Sequence, residues 1–225
     1  MSPTAPLAAP LSSPALELLA GRLPVLLVHG IDDTSRTLAP LAAHLGREGF
    51  AAVQAMDLRP NDGRAPIAEL AAQVAAEAEA LRARTGSARL DVVGFSMGAL
   101  VSRYYLQRLE GRQHVRRFVS LSGPHAGTQL AWLRDNAGAR EMRPGSALLQ
   151  ELAAQPEPFG TVQVFSLWTP WDLMIVPPRS SRLVGARERR VPVLLHPWMV
   201  TDRRVHRAVV EALSVERPED FSPRA

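Results

Sequence analysis

Ser96 lies in Gly94-Phe95-Ser96-Met97-Gly98, between an apolar run, Leu90-Asp91-Val92-Val93, and an Ala/Leu-rich stretch with helical spacing. A strand, a sharp turn and a helix in that order hold a serine hydroxyl exposed above a sheet edge. Only small residues fit beside so tight a turn, and Gly94 and Gly98 supply them. A serine hydroxyl is a weak nucleophile at neutral pH. It needs a base, a group that orients the base, and N–H donors for a developing oxyanion. The pentapeptide alone also suits an ordinary turn carrying a solvated serine. The flanking strand and helix patterns favour the nucleophile.

An oxyanion loop is the next requirement. Leu23-Pro24-Val25-Leu26-Leu27-Val28 is a continuous apolar run that reads as a buried strand, and it ends in His29-Gly30-Ile31-Asp32-Asp33-Thr34. Val28-His29-Gly30-Ile31 taken with the Ser96 pentapeptide resembles the α/β-hydrolase-fold serine lipases and esterases, the small bacterial triacylglycerol lipases especially. Ser122-Gly123-Pro124-His125-Ala126-Gly127-Thr128 resembles their G-x-P-H-x-G-T segment. Trp171-Asp172-Leu173-Met174-Ile175-Val176 resembles their acid loop. The resemblance runs from about Leu23 to about Leu213. It implies hydrolysis of apolar acyl esters through an acyl enzyme, without cofactor or metal, and is much less specific for the substrate. In that fold one oxyanion donor is the N–H after the nucleophile, here Met97, and the other comes from the loop after an earlier strand. Ile31 has that position, and Gly30 lets the backbone pass close to the substrate. His29 reads as a hydrogen-bonded structural histidine rather than the base.

The triad of this fold appears in the order Ser, acid, His. After Ser96 the histidines are His114, His125, His196 and His206. His114 sits in a charged turn. His125 precedes any good acid. His196 ends the run Val191-Pro192-Val193-Leu194-Leu195, read as a short strand, and open α/β sheets build their sites at strand C-termini. His206 falls in an amphipathic helix from Asp202, its N-cap, to Leu213, and reads as a surface residue. His196 is therefore the expected base and His206 its rival. The strand pattern Thr161–Trp168 leads into Thr169-Pro170-Trp171-Asp172, which makes Asp172 the expected orienting acid. Its plainer alternative is a turn-capping aspartate.

The remaining elements must hold these groups at one edge. Strands at Leu23–Val28, Ala51–Met56, Leu90–Gly94 and Val115–Ser122 alternate with helices at Ala39–Glu48, Pro66–Arg84 and Met97–Leu109. Such alternation implies a doubly wound, mostly parallel α/β sheet. Residues 23–215 read as a single domain, with 1–22 a flexible arm and 216–225 a tail. The long connection over residues 129–159 is expected to be a small cap-like excursion. Within it Trp132, Leu133, Leu148, Leu149 and Leu152 are candidates for turning apolar surface toward an acyl chain.

Bulk properties narrow the class. At 225 residues and 46% hydrophobic content the chain can bury a substantial core. It has no run of about 18 apolar residues, which argues against a membrane span. The N-terminal stretch lacks the charged start of a signal peptide, so a cytoplasmic location is expected. There are no cysteines, hence no disulfide framework. The net charge is +4 and every basic residue is Arg. No nucleic-acid motif accompanies those arginines, so no nucleic acid is expected as a partner, and at most weak contact with an anionic membrane surface. The alternatives to ester hydrolysis are acyl transfer or thioester cleavage on the same triad, or non-catalytic binding of an apolar ligand.

Overall fold

The structure is a computed structural model and describes residues 22–216 and 220–221. The expected arm, apart from Arg22, and most of the expected tail lie outside the described residues. The strands are β1 (Val25–Val28), β2 (Val53–Met56), β3 (Leu90–Phe95), β4 (Val115–Leu121), β5 (Gln163–Trp168) and β6 (Arg187–Arg190). The helices are α1 (Ala39–Arg47), α2 (Ile67–Thr85), α3 (Met97–Arg108), α4 (Ala137–Glu141), α5 (Ala147–Ala153) and α6 (Arg203–Ser214). Pro66, expected in the first turn of its helix, instead occupies the N-cap of α2 with an extended ψ of 150°.

All six strands form one sheet in the order β2-β1-β3-β4-β5-β6, and every pairing is parallel. Successive side chains of a strand point to opposite faces, and the core divides accordingly. Leu26, Val28, Val92, Phe118 and Val164 pack with α2, α3 and α5 on one face. Leu27, Val93, Val119, Phe165 and Leu167 pack with α1 and α6 on the other. This is the doubly wound α/β-hydrolase arrangement. Strand order reverses between β1 and β3, so the loops after these two strands part there and leave a crevice at the carboxyl edge. The pairing of Val28 with Gly94 brings those loops to one level.

The sixth strand differs from expectation. The chain pairs at Arg187–Arg190, where the sequence is entirely charged, and leaves the sheet over Val191–Leu195, the run expected to form the strand. Val191 still donates to the Trp168 carbonyl, but Val193 N–H turns back onto the Val191 carbonyl at 2.8 Å. Pro192 lies between them and has no N–H for a ladder. The charges of β6 are accommodated because it is an edge strand. The buried Arg189 makes a two-pronged ion pair with Glu211 of α6, at 2.6 and 2.8 Å. Among the described residues no helix is long and apolar enough to cross a membrane.

Candidate active site

Ser96 joins β3 to α3 with φ 54° and ψ −125°, a conformation that residues bearing a Cβ seldom adopt. Its N–H donates to the Leu121 carbonyl of β4 at 2.9 Å. The flanking glycines are required by contact. A Cβ on Gly94 would lie 2.6 Å from Ala99 Cα, and one on Gly98 would lie 2.3 Å from the His29 carbonyl oxygen. Strand, helix and the end of β1 therefore meet backbone to backbone around the serine. Ser96 is the N-cap of α3, so the Met97 N–H opens the helix without an intrahelical acceptor. Helix N-termini favour negative charge.

The loop after β1 reaches the same place. A Cβ on Gly30 would come within 3.0 Å of the Ser96 Cβ. His29 is fully buried and bonded at both ring nitrogens. Nε2 accepts the Leu58 N–H at 2.9 Å, which leaves the proton on Nδ1 to donate to the Gly30 carbonyl at 2.7 Å. The imidazole thus braces the turn that carries Ile31.

Asp172 follows β5 and is buried. One carboxylate oxygen accepts the N–H groups of Met174 and Ile175, both at 2.9 Å. The other is 2.8 Å from His196 Nδ1, which must be the donor because an ionised carboxylate only accepts. Burial works against the charge. The hydrogen bond and charge of His196, with the two backbone donors, outweigh it and hold the carboxyl below its usual range. His196 opens a short helical turn, His196–Val200, and its ring lies 4.8 Å from that of Phe95, the residue before Ser96. Thr169 donates to the Val193 carbonyl at 2.5 Å and ties the Asp172 loop to the His196 loop. Nδ1–H on the carboxylate leaves Nε2 as the basic nitrogen.

Ser96 opens into a cavity of about 150 Å³ whose walls include Ile31, Leu130, Ala131, Met142, Met174 and Ile175. A larger groove, about 480 Å³, lies between Gln129, Pro144, Arg179 and Leu183 and does not include Ser96. The residues expected to line an acyl pocket sit elsewhere. Leu149 and Leu152 are buried in the sheet core, because α5 is docked on α3 through the Gln107 side-chain amide and the Leu152 carbonyl. Leu148 packs at the edge of that core. Trp132 and Leu133 are 59% and 80% exposed, and the Arg143 guanidinium covers the Trp132 ring at 4.4 Å. The helical turn Gln129–Leu133 faces Leu130 and Ala131 to the cavity and leaves Trp132 and Leu133 outside.

The other histidines are placed differently. His206 is buried rather than on the surface. Its Nε2–H donates to the Val200 carbonyl at 2.8 Å, and its ring packs 5.2 Å from that of His44. His114 is half-buried beside β4. His125 is buried, with Nε2 2.7 Å from the Ser120 hydroxyl. Burial, and then the nearby Arg103 charge, push its pKa well below 6.5. Folded His125 stays neutral while the unfolded chain takes up a proton below about pH 6.5, so stability falls as pH drops. His125→Asn should flatten the thermal-stability profile between pH 6.5 and 5. An unchanged slope would contradict the assignment.

Comparison with known proteins gives the family and the fold. The family model for palmitoyl protein thioesterase matches residues 24–155, more than half of the chain. The chain belongs to that family. The matched span carries the His29–Ile31 loop and Ser96 but ends before Asp172 and His196, so those two rest on the geometry alone. Among solved structures, the mature Bacillus licheniformis lipase BlEst2 superposes with a TM-score of 0.76 at 17% identity, over 87% of this chain and 93% of that one. Aspergillus fumigatus lipase B gives 0.76 at 18% identity, over 91% and 57%. The Legionella pneumophila phospholipase PlaB gives 0.71 at 13%, over 89% and 60%. At these identities the likeness is one of fold.

Proposed function

We propose that the protein is a serine hydrolase of carboxylic esters with apolar acyl chains, working through an acyl enzyme. The observation that carries this is the buried Asp172–His196 hydrogen bond beside the strained Ser96 turn. Ser96 Oγ attacks the ester carbonyl carbon while His196 Nε2 takes the hydroxyl proton. The tetrahedral oxyanion accepts hydrogen bonds from the N–H groups of Ile31 and Met97. Its collapse expels the alcohol, which receives the proton from His196. Water, activated by the same nitrogen, then releases the acid and restores Ser96. Asp172 holds the imidazole in its tautomer and stabilises the imidazolium. Residues 23–215 form the catalytic domain, and 129–159 cap the acyl side of the cavity through Leu130, Ala131 and Met142. The family match favours thioesters as a second substrate class for the same triad.

Paired p-nitrophenyl esters and acyl thioesters, from acetate to palmitate, test this. Hydrolysis that disappears in Ser96→Ala is the expected result. No turnover of any member would overturn it.

The lining of the Ser96 cavity gives a second expectation. Each buried methylene of an acyl chain is worth about 0.8 kcal/mol. Leu130→Ser should lower kcat/KM for octanoate about tenfold and leave acetate nearly unchanged. Leu149→Ser should not change chain-length preference. It places a hydroxyl in the core and removes most of a leucine, a cost of about 2–5 kcal/mol, read as a lower Tm. If Leu149→Ser instead shifts chain-length preference at unchanged Tm, α5 belongs to the pocket.

A further inference from the structure

The charged residues in the wall of the cavity at Ser96 are Asp32 and Arg134, and they form an ion pair. Asp32 directly follows Ile31 and has φ 58°, a left-handed conformation that an aspartate tolerates better than most residues. Its backbone N–H donates to the Asn61 carbonyl at 2.8 Å. Its two carboxylate oxygens each accept from Arg134, one from Nη2 and the other from Nη1 at 3.0 Å. The partner comes from the capping segment, 102 residues away in sequence. Arg134 is itself fixed: Nη1 also donates to the Asp62 carbonyl at 3.2 Å, and its own carbonyl accepts from Arg143 at 2.8 Å. Asn136 and Gly138 add bonds to the carbonyls of Asp62 and Gly63, at 3.3 and 2.8 Å. The capping segment therefore grips both the loop after β1 and the loop after β2, and the carboxylate is its only side-chain hold on the residue after Ile31 among the described residues.

We propose that Asp32 and Arg134 are a positioning pair that fastens the Ile31 loop to the cap, so that the Ile31 N–H faces the oxyanion formed at Ser96. This rests on the hydrolase reading above. A two-pronged guanidinium–carboxylate contact fixes orientation as well as distance. Both side chains are about half exposed, so the pair adds little to global stability. Its effect belongs in the rate instead, because a loop displaced by a fraction of an ångström weakens a hydrogen bond that matters in the transition state.

The test uses the full chain with p-nitrophenyl butyrate and a trifluoromethyl ketone, whose adduct with serine carries an oxyanion. Asp32→Gly removes the carboxylate but keeps the left-handed backbone freely available. Arg134→Met removes the charge and keeps the apolar stem. Each should lower kcat about tenfold, less than the ~10²–10³ lost when a donor is deleted outright. KM should stay within about twofold, Tm should fall by less than about 4 °C, and the ketone should bind about tenfold more weakly. The double variant should be no worse than either single one, since both break one contact. Wild-type kcat in Asp32→Gly, losses that multiply in the double variant, or changes confined to KM would overturn the pair's role. A wild-type protein without Ser96-dependent turnover would defeat the hydrolase reading and the pair with it, and the Ser96→Ala control separates the two failures.

Discussion

Ser96→Ala is expected to reduce ester turnover by about 10⁴- to 10⁶-fold while leaving the fold in place. The size follows from what the hydroxyl does: without it no acyl enzyme forms, and only binding and the oxyanion donors act on attack by water. The fold should persist because the substitution removes one oxygen from a side chain that is mostly buried but bonded to its surroundings through its backbone. Alanine keeps the Cβ that already tolerates φ 54° among Gly30, Gly94 and Gly98. The check is turnover of a short-chain ester alongside Tm, in protein free of contaminating esterase. Activity within tenfold of wild type would remove Ser96 from the chemistry.

His196→Ala should cost nearly as much, because triad members act as a unit. Asp172→Asn should cost about 10⁴-fold. The amide nitrogen of an asparagine facing Nδ1 would donate where the carboxylate accepts, and would turn the ring into the tautomer that protonates Nε2. His206→Ala separates catalysis from structure. It deletes a buried bond to the Val200 carbonyl and the packing against His44, so Tm should fall while kcat/KM of the folded fraction holds. Exchange of the His196 and His206 phenotypes would mean that the base had been assigned to the wrong loop.

Much of the framework was legible because it depends on periodicity and local sterics. The continuous apolar run Val25–Val28 and the mostly apolar Leu90–Phe95 mark strands buried on both faces, and two glycines around a serine mark a turn where helix and strand backbones touch. What was hidden depends on partners far along the chain. Arg187–Arg190 looks like surface until Glu211 and the edge position are known. His206 looks solvated on a helical wheel until Val200 and His44 close over it. Leu130 and Ala131 look less apt for an acyl wall than Trp132, and only the turn that orients them decides. The Asp32–Arg134 pair had no local signal, because neither charge differs in sequence from many others on an arginine-rich surface.

Labelling with a fluorophosphonate, followed by digestion and mass spectrometry, addresses the central assignment most directly. The reagent phosphonylates a serine only where a base activates it and N–H donors hold the phosphoryl oxygen. One adduct at Ser96 is the expected result, absent in Ser96→Ala and strongly slowed in His196→Ala and Asp172→Asn. No adduct on the folded wild-type protein, or an adduct on another serine that persists in Ser96→Ala, would contradict it.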